Sequence, residues 1–122
     1  MVTVLVVDDD PAIGQLMKII LAIDGIEVQR ASSGEAALAL LQDRDAEPDV
    51  IVLDLMMPGM DGREAFKEMR RAGVDSPILF CSAYGAQEAN KELGGQGAID
   101  KPFHPEILLA SIQELTNAGE NA

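Results

Sequence analysis

Five residues carry the chemistry available to this chain: Asp8, Asp9, Asp54, Ser82 and Lys101. Each sits at the end of an apolar run of strand length. Asp8 and Asp9 follow Thr3-Val4-Leu5-Val6-Val7, and Asp54 follows Val50-Ile51-Val52-Leu53. Ser82 follows the run from Pro77 to Cys81, and Lys101 follows Ala98-Ile99-Asp100. Three carboxylates gathered at one place repel one another unless a cation offsets them. An all-oxygen donor set calls for a hard divalent ion, with Mg²⁺ expected and Mn²⁺ able to substitute. An ammonium from Lys101 and a hydroxyl from Ser82 complete a receptor for a phosphoryl group, aided by the backbone N–H groups after Asp54 and Ser82. A carboxylate nucleophile in that setting yields an aspartyl phosphate. Asp54, at the end of a buried strand, has no evident structural task, so a chemical role is expected of it.

The elements that must position these residues alternate strictly. Thr3 to Val7 reads as a strand, and Asp10 caps a helix whose first residue is Pro11. Ile13, Leu16, Met17, Ile20 and Leu21 recur at helical spacing, and Gly25 closes that helix. Ile26 to Gln29 reads as a short second strand. Ser32 and Glu35 form an expected capping box for a second helix carried by Ala36, Ala37, Leu38, Leu40 and Leu41. Glu47-Pro48-Asp49 breaks it before the third strand, Val50 to Leu53. Asp61 caps a third helix, with Ala65, Phe66, Met69 and Ala72 on its apolar face and Gly73 at its end. Pro77 to Cys81 is the fourth strand. A short, weakly apolar fourth helix spans about Gly85 to Leu93 and is cut off by Gly94-Gly95-Gln96-Gly97. Ala98 to Asp100 is a brief fifth strand, and Pro105 opens a last helix with Ile107, Leu108, Ile112 and Leu115.

Five strand–helix units of this kind imply a parallel sheet with helices on both faces. The first and third strands are apolar throughout, as strands buried on both faces must be. In such sheets, sites lie at the carboxyl ends of the strands, where the five residues are found. A chain of 122 residues without low-complexity tracts is expected to be one domain, with a core over 2–116 and a flexible tail over 117–122.

Composition narrows the partners. Twenty-one acidic residues against nine basic ones leave a net charge of −12. That balance opposes direct nucleic-acid binding, which needs a basic footprint, and adhesion to an anionic membrane. No apolar run reaches the roughly 18–20 residues of a membrane span. Met1 opens into an apolar run without a basic leader, so a cytoplasmic setting is expected. Cys81 is the lone cysteine, which rules out an internal disulfide and reads as a small core residue.

The ordered set Asp8-Asp9-Asp10-Pro11, Asp54-Leu-Met-Met-Pro-Gly-Met-Asp-Gly, Ser82-Ala83 and Lys101-Pro102-Phe103 closely resembles the receiver domain of two-component response regulators, across about Val2 to Leu115. The resemblance implies a flavodoxin-like, doubly wound (βα)5 three-layer sandwich with strand order 2-1-3-4-5. It implies phosphorelay signalling by a regulatory phosphoacceptor domain rather than a stand-alone enzyme. The phosphoryl donor would be a histidine kinase or a histidine phosphotransfer protein, and the output a protein–protein interaction. By the same resemblance Asp54 is the phosphoacceptor. Asp9 and Asp54 are direct Mg²⁺ ligands, Asp8 a ligand through water, and Met56 a ligand through its backbone carbonyl. Lys101, Ser82 and Ala83 bind the phosphoryl group, with Ser82 starting the switch. Met56 and Tyr84 match positions that tune dephosphorylation.

One position departs from the pattern. Receivers usually carry Tyr or Phe three residues before the lysine, and Ala98 stands there. The segment from Ser82 to Lys101 also looks about three residues short, close to one helical turn. The expectation is intact phosphorylation machinery with an altered output face. Three other readings fit the residues less well. A docking module that is never phosphorylated would have no use for the full set of five residues. An aspartyl-phosphate hydrolase of the haloacid-dehalogenase type needs a second acid two residues after the nucleophile, where Met56 stands. A flavin carrier needs a Ser/Thr-rich phosphate loop after the first strand, and aromatic residues are scarce, at 3%.

Overall fold

The computed structural model describes residues 2–43, 45 and 47–120. Five strands and five helices alternate: β1 Thr3–Val7, α1 Pro11–Ala22, β2 Glu27–Ala31, α2 Gly34–Leu40, β3 Val50–Leu53, α3 Gly62–Arg71, β4 Ile78–Ser82, α4 Ala86–Leu93, β5 Gly97–Asp100 and α5 Pro105–Glu120. The strands form one parallel sheet in the order β2-β1-β3-β4-β5. The expected flavodoxin-like (βα)5 sandwich is the observed fold. Among the described residues, no helix is long and apolar enough to cross a membrane.

Side chains alternate along each strand, so each central strand feeds two cores. Leu5, Val7, Ile51, Leu53, Ile78 and Phe80 point toward α2, α3 and α4, where they meet Ala37, Ala65, Phe66, Met69, Ala86 and Ala89. Val4, Val6, Val50, Val52, Leu79, Cys81 and Ile99 point the other way, toward Met17 and Leu21 of α1 and Leu108 and Ile112 of α5. Burying each large aliphatic side chain contributes about 1.5–3 kcal/mol before entropy is counted. The aliphatic composition thus serves two thin apolar layers rather than one bulky core.

Several boundaries differ from expectation. β2 runs from Glu27 to Ala31 rather than from Ile26 to Gln29. It is an edge strand with mostly exposed side chains, so its apolar signal is weak. β4 and β5 each begin or end one residue away from the expected bounds. Ser33, not Ser32, caps α2: its Oγ accepts from Ala36 N at 3.0 Å. Asp10 and Asp61 cap α1 and α3 as expected, accepting from Ala12 N and Glu64 N. α5 continues to Glu120, through most of the stretch expected as tail, and residues 121–122 lie outside the described residues.

Candidate functional site

Backbone hydrogen bonds carry the sheet register past the strand ends and set three side chains along one edge. Asp8 N donates to Ala31 O, Asp54 N to Val7 O, and Lys101 N to Ser82 O, at 3.0–3.1 Å. The outcome is convergence. One carboxylate oxygen from each of Asp8, Asp9 and Asp54 lies within 4.8 Å of the others. Lys101 Nζ lies 2.7 Å from Asp8 Oδ2 and 3.4 Å from Asp54 Oδ2. Asp8 and Asp54 are buried, whereas Asp9 is exposed. A cleft of about 380 Å³ opens beside them, lined by Asp8, Asp9, Asp10, Arg30 and Ser32 among others.

The electrostatics follow from burial. Asp54 holds its proton more tightly than an ordinary aspartate, first because burial penalises the charge and second because Asp8 repels it. Lys101 and the Met56 N–H, which donates to Asp54 Oδ1 at 3.3 Å, work in the opposite direction. The Ser82 hydroxyl is the smallest influence, and it completes no hydrogen bond: its Oγ is fully buried without a partner. Burial works against the Lys101 charge, but the bond to Asp8 and the field of Asp54 outweigh it and raise its proton affinity. Burial pushes the Cys81 thiol up to about 12. It therefore stays neutral and packs as a hydrophobe, as expected.

The donor set is chemically suited to a hard cation. Its atoms are all carboxylate oxygens, they sit close enough to share an ion, and their mutual repulsion is the penalty that an ion would remove. Met56 and Ala83 follow the ends of β3 and β4, with both side chains exposed. Tyr84 is 75% exposed and Met56 59% exposed, so neither is committed to the core. Ala98 pairs with Phe80 across β4 and β5 and packs, half-buried, against the core under α4.

Two contacts go beyond the roles expected of their residues. Gly62 donates its N–H to Leu55 O at 2.9 Å, and a Cβ there would lie 2.2 Å from Asp54 O. The turn after Asp54 can close only on a residue without a side chain. Glu35, expected to complete a capping box, reaches across the chain instead and accepts from Met60 N at 3.3 Å.

Comparison with known proteins agrees with this fold. The family model described as the response regulator receiver domain matches residues 4–113. The chain is 38% identical to "Response regulator MprA" of Mycolicibacterium vanbaalenii, covering 99% of this chain and 56% of that protein. It is likewise 38% identical to the protein of the same name from Mycobacterium leprae, covering 92% and 50%. The chain therefore spans about half the length of these relatives. Among solved structures, the Vibrio cholerae chemotaxis protein CheY4 superposes with a TM-score of 0.83 at 37% identity, over 94% of this chain and 98% of that one. A CheY-like receiver domain protein from Methanospirillum hungatei superposes at 0.90 with 27% identity, over 99% and 98%.

Proposed function

Because the chain belongs to the response regulator receiver domain family, we propose that it accepts a phosphoryl group from a phosphohistidine donor onto Asp54 and thereby switches a protein–protein interaction. One observation carries the reading: the carboxylates of Asp8, Asp9 and Asp54 converge within 4.8 Å while the Lys101 ammonium stands 3.4 Å from Asp54. Asp9 and Asp54 would hold Mg²⁺ directly, Asp8 through water, and Met56 through its backbone carbonyl. When bound, the ion supplies positive charge for the phosphoryl oxygens. Asp54 Oδ then attacks phosphorus, the donor's nitrogen leaves, and Lys101 pairs with the transferred group. The Ser82 hydroxyl and the Ala83 N–H are the hydrogen-bond donors on the β4 side. Met56 and Tyr84 screen the water that would hydrolyse the aspartyl phosphate to aspartate and inorganic phosphate. The role is regulatory, the domain spans 1–122, and the setting is cytoplasmic, with a histidine kinase or histidine phosphotransfer protein as donor.

The test is phosphorylation by acetyl phosphate. Labelling should need Mg²⁺ and should vanish in Asp54→Asn. Stoichiometric labelling that survives that substitution overturns the reading.

We further infer that the output runs through ordering of the segment from Tyr84 to Ala98, not through an aromatic rotamer at Ala98. The two ends of α4 are held differently. At its start, Gly85 adopts a left-handed φ of 79° and no side chain caps the helix. Past its end, Gln96 Oε1 accepts from both Ile78 N and Arg70 Nη2, which ties the α4–β5 connection to β4 and α3. In its first turn Gln87 Nε2 donates to Ala98 O at 3.1 Å, and in its middle Asn90 Oδ1 is buried without a partner. A helix uncapped at the end nearest Ser82 and pinned past the other can reorder when Ser82 finds a phosphoryl partner. Amide exchange across Tyr84 to Ala98 should slow when fluoroberyllate is bound. Unchanged exchange there rejects the ordering route.

A further inference from the structure

The turn from Asp54 to Gly62 carries the backbone groups assigned to the ion and the phosphoryl group, so its anchorage bears on function. Its beginning and its close are tied internally, by Met56 N to Asp54 Oδ1 at 3.3 Å and Gly62 N to Leu55 O at 2.9 Å. Its middle is held from outside, by the first turn of α2. Met60 N donates to Glu35 Oε1 at 3.3 Å. The Met60 side chain lies directly on the same turn: a Cβ at Gly34 would meet Met60 Sδ at 2.9 Å and Cγ at 3.2 Å. Gly59, left-handed at φ 76°, passes under the same carboxylate, and a Cβ there would lie 3.7 Å from Glu35 Oε1. Ser33 already caps α2, so the helix does not need Glu35 to begin.

We propose that Glu35 is a positioning residue for the phosphoacceptor site, holding the Met56–Met60 turn from α2 so that the Met56 carbonyl faces the carboxylates. Glu35 touches no reacting atom and acts through the turn. The consequence for the ion rests on the phosphoacceptor reading, whereas the clamp itself rests on the contacts above.

The test compares Glu35→Ala with Glu35→Gln, which keeps an acceptor oxygen at the same reach. In metal-free protein, Glu35→Ala should speed exchange of the Met60 amide about tenfold, with α2 itself unaffected. Mg²⁺ affinity, read by titration against thermal shift, should fall about tenfold or less, at the low end of what supporting groups around a metal site command. Glu35→Gln should restore both to within about twofold of wild type, because the acceptor is what matters. Unchanged Met60 exchange in Glu35→Ala overturns the proposal. So does a Glu35→Gln variant as fast as the alanine, or a loss of protection spread over all of α2. Failure of the wild-type protein to bind Mg²⁺ would defeat the phosphoacceptor reading instead, and the exchange comparison, made without metal, would still decide the clamp.

Discussion

Lys101 Nζ stands 2.7 Å from Asp8 Oδ2 and 3.4 Å from Asp54, so the ammonium leans toward the neighbour of the proposed nucleophile. Its side chain is 18% exposed and that of Asp8 only 4% exposed. The pair is therefore poorly screened, and losing the cation leaves two acids facing each other. Lys101→Met should cost on the order of 2 kcal/mol of stability in the absence of Mg²⁺, short of the roughly 3–5 of a fully buried pair. Because folding raises the proton affinity of Lys101, its contribution is complete below the ordinary lysine range and fades as pH climbs through the folded value. Urea unfolding of wild type and variant at neutral and strongly alkaline pH measures the difference, which should narrow at high pH.

Asp54 behaves in the opposite sense. Burial and Asp8 hold its carboxyl above the usual aspartate range, so its ionised form weakens the fold at neutral pH. That penalty is present above the folded value and is relieved as pH falls through it. Asp54→Asn should therefore be more stable than wild type near neutral pH without Mg²⁺. The two proteins should converge in acid. A variant less stable than wild type at neutral pH would contradict the electrostatic account.

A cation shared by the three carboxylates should stabilise the fold by mass action. Mg²⁺ at about 100 times its dissociation constant should add about 2.7 kcal/mol, visible as a higher thermal midpoint. Asp9 is exposed, so Asp9→Asn should leave metal-free stability within about 0.5 kcal/mol of wild type. The same variant should lose most of the Mg²⁺ increment.

Gly62 gives a steric prediction. A Cβ at this position would meet Asp54 O at 2.2 Å and Leu55 Cα at 2.6 Å, both backbone atoms of the site itself. Gly62→Ala should cost about 3 kcal/mol, the upper end of overpacking, and should weaken Mg²⁺ binding as well. Gly25 is the control. It is left-handed at φ 73° with open space around it, so Gly25→Ala should cost only about 1 kcal/mol and leave Mg²⁺ binding alone.

The sheet was legible because its central strands are unambiguous. Val4 to Val7 and Val50 to Leu53 are apolar on both faces, and each ends on an acid. Strand ends in a parallel sheet share an edge, so the sequence alone groups Asp8, Asp54, Ser82 and Lys101. What escaped has physical reasons. β2 lies at an edge, where Glu27, Gln29 and Arg30 face solvent and blur its limits. Ser32 and Ser33 are equally good caps by type, and only backbone geometry chooses Ser33. Glu35 matches a capping-box spacing, yet its partner is Met60, 25 residues away. The guanidinium of Arg70, held over Phe66 and bonded to Val74 O and Ser76 O nearby, also reaches Gln96, 26 residues away. Local pattern holds no trace of such pairs.

The most direct test of the central claim is reductive trapping with borohydride after incubation with acetyl phosphate and Mg²⁺. An acyl phosphate is reduced to an alcohol, which converts a phosphorylated aspartate to homoserine and releases phosphate. The account predicts homoserine at position 54 in the peptide map, and its absence when Mg²⁺ is omitted. Trapping at Asp8 or Asp9, or no trapping at all under conditions where Mg²⁺ binds, would contradict it.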